Sequence, residues 1–152
     1  MSVEPVIRNM LLADVPLVRQ LLAEAPEAAN WSESAIRASL DDPAALTFVT
    51  IGDREITGCI FGRNVGREAE ILNLVVSLPC RRRGIAKALV QHILKVWQGQ
   101  GVERVWLEVR ESNFAATRFY PQLGFKQNGR RKKYYTRPEE DALLWEHKLP
   151  RK

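Results

Sequence analysis

The chain has 152 residues, of which 45% are hydrophobic and 27% are charged, and its formal net charge at pH 7 is +5. These values are typical of one globular domain over residues 1–152, and they exclude a fibrous or largely disordered chain. The positive charge favours an anionic partner, but it does not choose between nucleic acid, a ribosomal surface and a phosphate-bearing cofactor.

Simple features of the sequence predict the compartment and the absence of a metal. The longest apolar run, at 71–78, is far shorter than the roughly 20 residues that cross a membrane. The N-terminus lacks the basic-then-apolar order of a secretion signal. Cys59 and Cys80 are expected as reduced thiols, and neither His92 nor His147 has a partner at metal-ligand spacing. We therefore expect a cytoplasmic protein without a membrane span, a disulfide or a metal.

Hydrophobic periodicity in the first half of the chain predicts one strand, two helices and three further strands. Asp14 is expected as the N-cap of the first helix, with Pro16 in its first turn, and Ser32 as the N-cap of the second. The sequence "IGDRE" is a hairpin turn signal between two β-rich runs. The predicted elements are a strand at 6–11, helices at 13–25 and 31–40, a loop at 25–30, a hairpin at 45–63 and a strand at 68–76.

The second half predicts a helix, a strand, another helix and two final strands. Pro121 lies inside the second of these helices, where it removes a backbone donor and biases Tyr120 away from the helical conformation, so a kink is expected. The order of elements predicts an α/β fold in which a mixed central sheet carries helices on both faces. The predicted elements are a helix at 84–98, a strand at 102–110, a helix at 112–125 ended by Gly124, and strands at 125–135 and 141–149.

Residues 79–90, "PCRRRGIAKALV", place three arginines directly before a helix start. The unpaired N–H groups of a first helical turn form an anion site together with the helix dipole, and Gly84 and the small Ala86 permit close approach of a ligand. The pattern is neither G-x-G-x-x-G nor a P-loop. Taken alone, the stretch is also explained by a solvated basic turn or by a nucleic-acid-binding patch.

The pattern Arg81-x-x-Gly84-x-Ala86 after an apolar strand resembles the Q/R-x-x-G-x-G/A signature of the GNAT family, the Gcn5-related N-acetyltransferases. The resemblance extends over nearly the whole chain and is strongest to the RimI-type branch, which acetylates protein N-termini, ribosomal-protein alanine among them. It implies a GNAT fold with a mixed, mostly antiparallel sheet of about seven strands. The further matching stretches are "NWSESAI" (30–36), "LNLVV" (72–76), "WLEVRESNFAATRFYPQLGF" (106–125) and "KKYYTRPEEDALLW" (132–145).

The resemblance implies acetyl-CoA as the cosubstrate. In the family the loop before the helix binds the pyrophosphate, and the preceding strand contacts the pantetheine arm through backbone groups, with an amide, here that of Val76, holding the thioester oxygen. Asn113 corresponds to an asparagine that contacts the cofactor, although a helix N-cap explains it equally well. The implied cofactor contacts are Leu74, Val75, Val76, Arg81, Arg82, Arg83, Gly84, Ile85, Ala86 and Asn113.

In the RimI-type pattern Glu108 is the general base, and Tyr120 is the acid that protonates the departing thiolate. A base is needed because an α-amino group, with a reference pKa of about 7.7–8.0, is largely protonated at neutral pH and cannot then attack a thioester. Strand alternation places Glu108 on the face opposite Leu107, in mid-strand, where a carboxylate is costly unless it is paired, hydrated or used. An ion pair with an arginine is the alternative for Glu108, and packing beneath the sheet is the alternative for Tyr120.

Tyr134 and Tyr135 match paired tyrosines that hold the acceptor peptide, and an aromatic pair that stabilises the last hairpin is the alternative. The basic run Arg130–Lys133 is either a solvated face or a contact for ribosomal RNA or an acidic peptide. The expected activity is transfer of an acetyl group to the N-terminal α-amine of a protein, such as a ribosomal protein, by a monomer or homodimer. Nucleic acid is not the expected substrate. The alternatives are acetylation of a small amine or a lysine side chain, and a non-catalytic RNA-binding or CoA-binding module.

Overall fold

The computed structural model describes residues 5–25 and 31–151, and its strands form one seven-stranded sheet with the order β1-β2-β3-β4-β5-β7-β6. The predicted order of strands and helices is confirmed, while most of the predicted loop at 25–30 lies outside the described residues. The strands are β1 (Val6–Asn9), β2 (Ala45–Gly52), β3 (Glu55–Val65), β4 (Glu68–Val76), β5 (Arg104–Arg110), β6 (Lys126–Thr136) and β7 (Glu139–Lys148). The helices are α1 (Val15–Ala23), α2 (Glu33–Asp41), α3 (Ile85–Gly99) and α4 (Phe114–Phe119).

Helices cover both faces of the sheet, as the sequence predicted. One apolar core packs α3 against the strands around its fully buried Trp97, and the other packs α1 and α2 around Val18, Ile36 and Phe61. Alternation along each strand sends neighbouring side chains to opposite cores, so that Ile60 lies in the first core and Phe61 in the second. The buried apolar residues of a single strand therefore contribute to both cores.

All neighbouring strands in the sheet are antiparallel except β4 and β5, which run parallel. Their pairing is short, because it joins only Glu68–Glu70 with Arg104–Trp106. On the other edge of β4, the register with β3 shifts between Phe61 and Gly62. A bulge of this kind bends the strand and increases its twist. The second half of β4 therefore stays paired to β3 while it leaves β5.

Asp14 is the N-cap residue of α1, as predicted, but its side chain does not cap that helix. Its Oδ2 instead accepts hydrogen bonds from the Leu11 amide at 2.7 Å and from Arg8 Nη1 at 2.6 Å.

One local prediction needs correction. The predicted helix at 112–125 is two elements, since α4 ends at Phe119 and a 3-10 turn begins at Tyr120. Pro121 occupies the first turn of that 3-10 segment, where no backbone donor is needed, and so the chain changes helix type instead of losing a hydrogen bond.

The Ser32 cap is confirmed, with the Ala35 amide donating to Ser32 Oγ at 3.2 Å. Cys59 is buried and Cys80 half-buried, and both are free thiols. The longest described helix, α3, has 15 residues, and none of the helices described has the length and apolarity that crossing a bilayer requires.

Gly62 is required by the packing of α3 on the sheet. A Cβ built there would collide with the Trp97 ring and would lie 2.7 Å from Ile93 Cδ1. Because both partners are fully buried, neither can move without cost. We expect Gly62→Ala to lower the free energy of unfolding by about 1–3 kcal/mol, the usual cost of overpacking.

Urea unfolding monitored by circular dichroism measures this change. Gly99→Ala is the matched control, because its Cβ would meet open space at the end of α3, and it should leave stability unchanged or raise it slightly. An equal response of the two variants would contradict the packing argument.

Candidate active site

A cleft opens where β4 and β5 separate. Beyond the Glu70–Trp106 pair, the two strands continue to Val76 and Arg110 as opposite walls of a cavity of about 860 Å³. Because the walls no longer hydrogen-bond to each other, the facing N–H and C=O groups need other partners, which an extended ligand can supply. A bound chain would thus lie between β4 and β5 much as an additional strand would.

The loop after β4 leads directly from this cleft into α3. Arg82 and Gly84 both have positive φ, at 65° and 81°, and Gly84 is the N-cap of the 15-residue helix. Within the described residues no side chain caps this helix start, and its first turn carries no acidic residue. The amides of the first turn and the positive end of the helix dipole therefore face the mouth of the cleft, an arrangement suited to a pyrophosphate.

The three arginines of this loop point in different directions, as adjacent loop side chains must. Arg81 donates from Nε to the Val76 carbonyl at 3.1 Å, which ties the loop to the end of β4. Arg82 lines the cleft, whereas Arg83 is exposed outside its wall. A Cβ at Gly84 would meet open space, so the positive φ of this residue and not crowding is what favours glycine there.

Glu108 projects from β5 toward this cleft with only 11% of its side chain exposed. Its Oε1 lies 3.3 Å from Arg131 Nε of β6. The negative charge of Glu108 raises the pKa of Tyr134, with help from burial and from a hydrogen bond between the two side chains. A carboxylate held in this way can accept a proton from a group that enters the cleft.

Tyr120 lines the cleft from the end of α4. It is buried between Phe119 and Phe125, with ring centroids 5.0 and 5.4 Å away. Burial raises the pKa of its hydroxyl well above the ordinary value. The phenol therefore stays neutral and retains a proton that it can donate. Its backbone amide still bonds to the Ala116 carbonyl, so Pro121 leaves Tyr120 in the helical conformation.

Two tyrosines of β6 and one arginine of β5 lie together at the cleft or beside it. The rings of Tyr134 and Tyr135 meet edge to face at 5.1 Å, and the Arg110 guanidinium lies 4.2 Å from the Tyr135 ring centroid. Arg110 also pairs with Glu140 at 3.1 Å. Tyr135 lines the cleft, while Tyr134 lies outside its wall and reaches it only through Glu108.

Asn113 is the N-cap of α4, since its Oδ1 accepts from the Ala116 amide at 3.1 Å. It also lines the cleft. Of the predicted site residues, the cleft brings together all except Arg83 and Tyr134; those lining it are Leu74, Val75, Val76, Arg81, Arg82, Gly84, Ile85, Ala86, Glu108, Asn113, Tyr120 and Tyr135. Across residues 5–25 and 31–151, no group of three or more His, Cys, Asp or Glu side chains could hold a metal ion.

Three charged residues of this region were not predicted: Glu70, Arg110 and Arg131. Glu70 is half-buried and is the last residue of β4 that pairs with β5, opposite Trp106. Paired residues point to the same face and alternate residues share a face, so Glu70 lies on the side from which Glu108 projects. A carboxylate at the start of an apolar strand was a visible signal, but its neighbours depend on strand register, which the sequence does not reveal.

The pH dependence of stability tests the electrostatics at Glu70. Burial first, and the charge of Glu108 second, raise the pKa of the Glu70 carboxyl, against an opposing effect of Arg131. An acid whose pKa is higher in the folded than in the unfolded protein costs stability where it is ionised. Glu70→Gln should therefore raise the free energy of unfolding by about 0.5 kcal/mol at pH 7.5, and the gain should vanish as the pH falls below about 4.3.

Urea unfolding of both proteins at pH 7.5 and pH 4 measures this difference. Glu68→Gln is the control, because Glu68 pairs with Arg104 at 2.9 Å on the same strand pair, and we expect no gain from it. If Glu70→Gln lowered stability at pH 7.5, burial of an unfavourable charge at this position would be refuted.

Known proteins are similar to this chain in sequence and in fold. A model of the acetyltransferase (GNAT) family matches residues 15–125. The ribosomal protein bS18-alanine N-acetyltransferase of Escherichia coli K12 is 31% identical over 140 residues, which cover 91% of this chain and 93% of that protein.

Solved structures agree with the sequence match. The ribosomal-protein-S18-alanine N-acetyltransferase from Escherichia coli superposes with a TM-score of 0.87 at 27% identity, over 98% of this chain and 96% of the other. Arabidopsis thaliana NAA60, solved in complex with acetyl-CoA, shares the fold with a TM-score of 0.86 at 18% identity, over 96% and 99% of the two chains. The chain therefore belongs to the GNAT family and is an acetyl-CoA-dependent N-acetyltransferase.

Proposed function

We propose that this enzyme acetylates the N-terminal α-amine of a protein, with an alanine-starting ribosomal protein as the preferred acceptor. The observation that carries the proposal is that Glu108 and Tyr120, the pair a base-and-acid mechanism needs, line one cleft from different elements. The name of the Escherichia coli relative supports the choice of acceptor. The proposal includes a cytoplasmic location, where ribosomal proteins are made.

The walls of the cleft fit acetyl-CoA, whose thioester supplies the acyl carbon that the amine attacks. Backbone groups of Leu74, Val75 and Val76 hold the extended arm, and the amides from Arg82 to Ala86 hold the pyrophosphate. The Val76 amide receives the thioester oxygen as negative charge develops on it. Arg81 acts mainly by holding the loop to β4, as its bond to the Val76 carbonyl suggests.

Glu108 is the general base in this proposal. The acceptor arrives largely as an ammonium ion and must lose a proton before its nitrogen has a free electron pair. Glu108 takes that proton on a carboxylate oxygen, directly or through a water molecule. Low exposure of its side chain supports this role, because removal of water strengthens its interaction with a cationic substrate.

Tyr120 is the general acid, and it holds its proton until the thiol sulfur departs. Its raised pKa, which burial causes, supports this role because the hydroxyl stays protonated at neutral pH. Tyr134 and Tyr135 form the acceptor side, where the first lies against Glu108 and the second against Arg110. Asn113 contributes to cofactor binding mainly by fixing the start of α4 beside the cleft.

The first test is binding and turnover by the whole chain. Acetyl-CoA should bind in calorimetry, and an alanine-starting ribosomal peptide should release CoA. Glu108→Gln should lower kcat by about 10²–10⁴-fold at neutral pH with acetyl-CoA affinity unchanged, because only proton removal is lost. Glu111→Gln, an exposed neighbour that pairs with Arg130, is the matched control and should behave like the wild type.

The same assay separates the alternatives. Acetylation of a small amine or of a lysine side chain in preference to any α-amine would reject the proposed acceptor. Full activity of Glu108→Gln at pH 7 would reject the base, even if the peptide is the right substrate.

A second variant tests the acid. Tyr120→Phe keeps the ring between Phe119 and Phe125 and removes only the hydroxyl. We expect kcat to fall by about 10²-fold, with thermal stability and acetyl-CoA affinity close to the wild type. An unchanged kcat would mean that Tyr120 is only a packing residue.

A further inference from the structure

The proposed base is already occupied by a cation. Arg131 Nε lies 3.3 Å from Glu108 Oε1, and the same guanidinium lies 5.4 Å from the Tyr134 ring centroid. The acceptor amine arrives as a second cation at the same carboxylate. Two like charges at one carboxylate repel each other, so Arg131 and the ammonium compete for Glu108.

A second carboxylate lies within electrostatic reach of the same arginine. Glu70 stands on the same sheet face as Glu108, and the charge of Arg131 acts on its ionisation. Two other carboxylates of this region, Glu68 and Glu146, each pair with Arg104, at 2.9 and 2.6 Å. By contrast, no Lys, Arg or His nitrogen in the described parts of the chain lies within 4.0 Å of the Glu70 carboxylate.

Arg131 is also placed where it can move without disturbing the core. Half of its side chain, 51%, is exposed. It stands where the pairing of β6 with β7 loses its regular register, between Arg131 and Tyr135. Within that segment Lys133 has a positive φ of 53°, and its amide donates to a side chain of β7, Asp141 Oδ1, at 2.9 Å. Reorienting the guanidinium therefore needs only side-chain rotation.

We propose that Arg131 is a displaceable counter-ion of the active site: the acceptor's ammonium replaces it at Glu108, and its guanidinium moves to Glu70. This inference rests on the proposed function. Arg131 is then a positioning residue, which holds the carboxylate of the base in place while the acceptor side is empty. Glu70 lowers the cost of acceptor binding, because it gives the displaced cation a partner in place of water.

The test is acceptor affinity, measured by calorimetry with an alanine-starting peptide and protein saturated with CoA, which carries no acetyl group to transfer. The proteins are the wild type, Arg131→Gln, Glu70→Gln and the double variant. Arg130→Gln and Glu68→Gln are matched controls, since Arg130 pairs with Glu111 and Asp141 and Glu68 pairs with Arg104.

Arg131→Gln should tighten peptide binding by about fivefold, because it removes the competing cation. Glu70→Gln should weaken peptide binding by about threefold in the wild type. In the Arg131→Gln background the loss should be much smaller, because no displaced guanidinium is left for Glu70 to pair with. A peptide whose N-terminus is already acetylated carries no ammonium and should bind all four proteins alike. In steady-state kinetics, these changes should appear in KM more than in kcat.

Weaker peptide binding by Arg131→Gln would overturn the inference, since Arg131 would then contact the acceptor directly. An equal effect of Glu70→Gln in both backgrounds would also overturn it, because Glu70 would then attract the ammonium itself. These failures are distinct from failure of the proposed function. If the wild type acetylates the peptide but the affinities do not follow this pattern, only the counter-ion role is refuted, whereas no peptide binding or turnover by the wild type refutes both.

Discussion

The parting of β4 from β5 is the constraint on which the rest of this site depends. A parallel pair that stops after Glu70 and Trp106 leaves two strand edges inside the sheet that no longer pair with each other. The shift in register between β3 and β4 lets β4 bend away while it keeps its other partner. Gly62, at that shift, permits Trp97 of α3 to pack directly on the backbone. The cleft thus exists because one side of β4 is paired and the other is open.

Structural and functional interpretations of single residues turn out to be compatible here. Glu108, the proposed base, has an arginine partner and also lines the cleft. Asn113 caps α4 and also lines the cleft. The rings of Tyr134 and Tyr135 meet edge to face, and Tyr135 also lines the cleft. A small enzyme has few residues near its cleft, so a residue that holds the local structure can also line the cleft.

Ion pairs connect the basic run of β6 to acidic residues near the cleft. The basic run of β6 is not only a solvated face, since Arg130 pairs with Glu111 and Asp141 while Arg131 reaches Glu108. These pairs order the last hairpin beside the cleft. Ion pairs that are half exposed contribute little stability. The pair between Arg131 and Glu108 differs from them, because only 11% of the Glu108 side chain is exposed while 51% of the Arg131 side chain is exposed.

The amino-acid sequence by itself determined the order of the elements, the two-sided α/β architecture, and the loop with Gly84 at the start of α3. These follow from periodicity and turn chemistry, which are local. Only the tertiary structure decided which charged groups influence one another: Glu70, Glu108 and Arg131 come from three different strands. A turn fixes the register of a hairpin, but no turn joins β4 to β5, so their register and the point where they part depend on packing between distant segments.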